Sequence, residues 1–123
     1  MMLASCRFTV EEIGMNDRYI LEGKTPVKEP DLWRWAKWFE GANRKVAETE
    51  GKVSAHGKNV GIVRISTVFL GLDHSFGEGA PMLFETMVFG GALDGEQDRC
   101  STWEAAEKMH ALMVEKVRHA TES

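Results

Sequence analysis

Apolar positions along this chain switch between two periods. Leu32, Trp35, Phe39, Ala42 and Val46 recur at steps of three and four, the period of a helix with one buried face. Pro30 and Asp31 suit the start of that helix, and the pattern fades near Glu50–Gly51. The later run IVRISTVFLGL is rich in β-branched residues, and MLFETMVF follows it after a glycine-containing gap; both predict strands. Arg18–Glu22 alternates and predicts a first short strand, with Gly23–Pro30 a connecting loop. Residues 51–61, GKVSAHGKNVG, lack a period and are expected as a flexible loop. Asp94-Gly95 signals a turn, so Glu96–Cys100 is expected as a fourth, edge strand. Ser101 and Glu104 have the spacing of a capping box. The helix beyond them gathers Trp103, Ala106, His110, Met113, Val114 and Val117 on one face and is expected to end near Arg118–His119.

The expected order is β-α-β-β-β-α. That order fits a two-layer α+β domain, an antiparallel sheet of three or four strands with both helices on one face. At 123 residues the chain has room for one core, placed at residues 15–119 between tails at 1–14 and 120–123. Phe8, Val10 and Ile13 offer an alternative to the first tail, as a further edge strand. The two central strands are apolar in part on both faces: Val63, Ile65, Thr67 and Phe69 oppose Val68, Leu70 and Leu72, and Leu83, Met87 and Phe89 oppose Met82, Phe84 and Val88. One helical layer cannot cover both, so a partner is expected, first a second copy packed sheet to sheet.

Charge adds little to this picture. The formal net charge of −4 and the absence of a dense basic run argue against a dedicated nucleic-acid binder. Arg34, Lys37, Arg44 and Lys45 form a modest basic face on the predicted first helix, the one route to weak nucleic-acid binding. No apolar stretch has the length of a membrane span, and none has the form of a signal peptide, so a cytoplasmic location is expected. Cys6 and Cys100 match no disulfide framework or zinc pattern. Cys100 precedes a helix N-terminus, where a thiol pKa is lowered.

The candidate chemistry lies in GLDHSFGEGAP, residues 71–81. Asp73 and His74 are neighbours, and on a continuing strand their side chains leave opposite faces, a poor start for an acid–base pair. The plain reading is that Asp73 caps the turn backbone and His74 covers apolar surface. The sharper one makes Asp73, His74 and Glu78 ligands of a divalent metal, or Asp73, His74 and Glu85 the acid–base groups of a small metal-dependent enzyme. Glu85 sits mid-strand, where a carboxylate needs a partner, and Arg64 is the expected one. His110 lies on an apolar stripe and reads as a core-edge histidine with a satisfied nitrogen. Trp33 points away from the first helix's stripe; with Trp38 and Phe76 it is a candidate partner-binding aromatic. No nucleophile elbow, P-loop, dinucleotide fingerprint or HExxH is present. No cofactor is expected beyond that metal.

RISTVFLGLDHSFGEGAPMLFETMVFGG, with RCSTWEAAEKMH after it and DLWRWAKWFE before it, resembles a group of small proteins from tailed phages and prophages of bacteria. The likeness spans about residues 16–118 and skips 51–61. It implies a phage-derived accessory protein acting in the host cytoplasm on a host or phage protein, and it brings no catalytic residue with it. Cys100 stands where the group's pattern has an aromatic residue, which argues against thiol chemistry.

Overall fold

The structure is a computed structural model that describes residues 17–55, 58–75 and 79–122. The chain folds as α+β, with strands in two antiparallel sheets. The predicted first strand is present as β1 (Tyr19–Glu22), but the expected loop after it turns straight back as β2 (Thr25–Lys28). Gly23, at a φ of 64°, supplies the positive φ that this two-residue turn requires. Pro26 is tolerated because β2 is an edge strand.

Helix α1 (Leu32–Gly41) starts where expected: the Asp31 side chain accepts hydrogen bonds from the backbone N–H groups of Trp33 and Arg34. It ends nine or ten residues early. Ala42 is extended, the Asn43 side chain accepts from Lys45 N–H, and the chain enters β3 (Lys45–Ala55). The expected loop at 51–61 is therefore the tip of a long hairpin, because β4 (Lys58–Phe69) pairs back along the whole of β3. RKVAETE has good helix formers, but pairing along the length of β4 overrides local propensity.

β5 (Phe84–Phe89) and β6 (Gln97–Cys100) complete a four-stranded sheet in the order β3-β4-β5-β6. Helix α2 (Trp103–Glu122) crosses one face of it. Its cap is Thr102, whose hydroxyl accepts from Ala105 N–H, one residue later than the expected capping box. Residues 120–122 continue the helix rather than forming a tail. The alternative strand at Phe8, Val10 and Ile13 lies outside the described residues.

On the face under α2, cross-strand register sets three pairs in a row: Ile65 opposite Val88, Thr67 opposite Thr86, and Phe69 opposite Phe84. The outer two pairs anchor separate apolar clusters. One gathers Tyr19, Phe69, Leu83, Phe84 and Ala106, with Trp38 and Trp103 against it; the other gathers Val63, Ile65, Val88 and Met113. The threonine pair lies between them. Helix α1 packs on the small hairpin, where the Trp35 indole N–H is shared between the Tyr19 and Gly71 carbonyls.

Candidate functional site

Strand alternation sets one face of the four-stranded sheet toward α2 and, among the described residues, no helix packs on the other, here called the open face. Register places Glu48, Glu50 and Lys52 of β3, Ile62, Arg64, Ser66 and Val68 of β4, Glu85, Met87 and Phe89 of β5, and Gln97 and Arg99 of β6 on the open face. Its centre is apolar. Ser66, Val68, Glu85, Met87 and Phe89 line a shallow depression, and Ile62 is 60% exposed at its edge. Charged side chains rim this strip on both sides. Arg64 lies over the Phe89 ring, 4.6 Å from its centroid, so the guanidinium screens part of the apolar surface.

Glu85 is buried on this face. Its partner is Arg99, whose Nε–H donates to Oε2 at 2.9 Å, and not Arg64. The reason is register: Glu85 lies abreast of Arg99 and Val68, while Arg64 sits opposite Phe89, four residues along. Four residues of strand are about 13 Å, beyond the reach of one side chain to the other. With its charge matched by a neighbouring strand, Glu85 is a structural ion pair.

The loop after β4 holds Asp73 and His74. Asp73 Oδ1 accepts from the N–H groups of Ser75 and Met82, at 2.8 and 3.0 Å, and so ties the two ends of the loop together. Burial disfavours the charged carboxylate, but the hydrogen bonds from Ser75 and Met82 outweigh it and hold the Asp73 pKa below the usual carboxylate value. The His74 ring is turned back on the Leu72 carbonyl, 2.8 Å from Nδ1. Glu78 and Phe76 lie outside the described residues. Among the described residues no three acidic, histidine or cysteine side chains are placed to hold a metal ion, so Asp73, His74 and Glu85 do not form one centre.

His110 carries a second polar constellation. Its Nδ1 lies 2.7 Å from Thr67 Oγ1 and its Nε2 2.8 Å from Thr49 Oγ1, and Thr67 in turn meets Thr86 at 2.5 Å. Thr67 and Thr86 are fully buried and His110 nearly so. Burial lowers the His110 pKa, keeping the imidazole neutral, one nitrogen donating and the other accepting. The chain of hydroxyls runs from the half-buried Thr49 into the core beneath α2. Sequence reasoning anticipated one satisfied nitrogen and missed the three threonines. Their signal is visible afterwards: Thr67 and Thr86 interrupt the inward faces of two otherwise apolar strands.

The remaining candidates separate cleanly. Trp33 is 81% exposed, whereas Trp38 is half-buried and packs edge-on to Phe69 against the core. Of the basic face expected on α1, Arg34 and Lys37 stand exposed on the helix and the other two residues do not belong to it. Arg44 lies beyond the helix, over the Phe39 ring, and donates to the Phe69 carbonyl; Lys45 is on β3, paired with Glu48. Burial raises the Cys100 thiol pKa, with Asp98 adding to the rise against a hydrogen bond at Thr102, so the helix terminus does not activate it.

No family model, curated protein or solved structure matches the chain. Among the described residues no helix is long and apolar enough to cross a membrane.

Proposed function

We propose that the protein is a non-enzymatic interaction module, of phage or prophage origin, that docks a host or phage protein in the bacterial cytoplasm. The observation that carries this reading is the open sheet face. Val68, Met87 and Phe89 form an apolar centre between charged side chains, with exposed Ile62 farther along β4, opposite the face that α2 covers. An apolar patch with a polar surround is the anatomy of a protein-binding surface. The titratable candidates support the same reading by their occupations: Asp73 closes a loop, Glu85 is matched by Arg99, and His110 sits within the core.

The test is affinity capture from lysate of the bacterial host, run in parallel with wild type and with Met87→Asp. The reading predicts a retained protein that the variant loses while keeping its fold. Retention unchanged by a charge at the centre of the face contradicts it. The metal-dependent enzyme is tested separately by thermal shift with Mn²⁺, Mg²⁺ and Zn²⁺, where a shift abolished by Asp73→Ala supports it over docking.

A further inference from the structure

We propose that a second copy of the chain pairs with β3 along its outer edge, antiparallel and two-fold symmetric about Gly51, so that two four-stranded sheets become one. The inference adds a self-association site to the interaction module and holds whatever docks on the open face.

Among the described residues β3 and β6 are the two outer strands of the sheet. β6 has four residues, and a short edge offers little to pair with. β3 has eleven, and between its two register shifts the run Ala47–Val53 is regular. An exposed edge of this kind is a template for strand addition.

Charge selects the occupant. Glu50 and Lys52 share one face of β3, both exposed, and among the described residues neither is in an ion pair. In an antiparallel pair centred on Gly51, Glu50 of each copy lies opposite Lys52 of the other, on the same face, giving two opposite-charge cross-strand pairs. Centring on Glu50 instead brings Glu48 opposite Lys52 but sets two Glu50 carboxylates directly opposite each other at the axis. Centring on Thr49 sets Glu48 against Glu50. Of the registers centred on Thr49, Glu50, Gly51 and Lys52, only the Gly51-centred one gives opposite-charge pairs with no like charges opposed.

Gly51 is consistent with this axis. It has no positive φ, and a Cβ built there meets nothing within 4 Å, so the single chain gives no reason for a glycine inside a strand. At the axis it leaves the α2 side clear where two copies come side by side. A two-fold axis normal to the sheet keeps both α2 helices on one side. The two open faces then adjoin as one platform.

The experiment is sedimentation equilibrium of the full chain as wild type, Glu50→Lys, Lys52→Glu and the double exchange, with melting curves to establish that each is folded. The expected result is a wild-type dimer, a dissociation constant raised about tenfold or more by either single reversal, and recovery in the double exchange. A monomeric wild type at high micromolar concentration overturns the proposal. So does a dimer indifferent to the single reversals, or a double exchange no better than the singles. Met87→Asp separates this from the open face: a dimer lost there but unmoved by charge at 50 and 52 overturns edge pairing and leaves the docking reading standing.

Discussion

His110 is the residue whose surroundings say most about its role. Removing the ring in His110→Ala strands the Thr67 and Thr49 hydroxyls and opens a cavity, at a cost of about 2–3 kcal/mol, measured by urea denaturation. The pH dependence has a definite sign. The folded-state pKa is lowered below the ordinary value of 6.5, so the unfolded chain takes up the proton first. Stability is full above that value and falls as pH drops through it toward the folded-state pKa. His110→Gln removes this part of the acid slope, read from melting temperature against pH. Glu85 makes the complementary case. Arg99→Ala leaves a buried carboxylate without its guanidinium and costs about 2 kcal/mol, a figure reduced from that of a fully buried pair because Arg99 is partly exposed. Single residues were legible in part. A mid-strand Glu announces that it needs a partner, but cross-strand register decides which arginine serves, and pattern alone does not set register. His110 on an apolar stripe announces a satisfied ring, yet its partners come from two different strands.

At the scale of elements, runs with a strong period were legible and those without one were not. IVRISTVF, LFETMVF and the last helix stand where their alternation and their three-and-four spacing put them. β3 was hidden because RKVAETEGK carries helix formers and continues the stripe of α1 through Val46. Pairing with β4 decides its state, and Val46 packs on the core from a strand. The small hairpin was hidden by Pro26, which an edge position permits. Turn glycines give a sharp contrast that tests this account of the elements. Gly90 and Gly23 both have positive φ, but a Cβ at Gly90 would lie 2.6 Å from the Ile62 carbonyl oxygen, while Gly23 faces open space. Gly90→Ala therefore costs about 2–3 kcal/mol and Gly23→Ala about 1 kcal/mol, compared by chemical denaturation. Thr102→Ala removes the α2 cap and costs about 1 kcal/mol by the same measurement.

For the whole molecule, the two faces of one sheet differ in make-up. The face under α2 is a core, with two apolar clusters separated by a layer of hydroxyls and one imidazole. The other has an apolar centre and a charged rim. The sequence already carried this asymmetry, because two strands apolar on both sides cannot be satisfied by one layer of helices. What hydrophobic pattern could not convey is how much of the second face is polar: β3 and β6 contribute Glu48, Glu50, Lys52 and Arg99, which flank the apolar strip. The loop that first draws notice, with Asp73 and His74, is instead fastened by its own backbone. The account stands on the open face as a docking surface, and parallel capture by wild type and Met87→Asp tests it most directly. A protein held by wild type and lost from the folded variant is the predicted result; equal retention by both contradicts it.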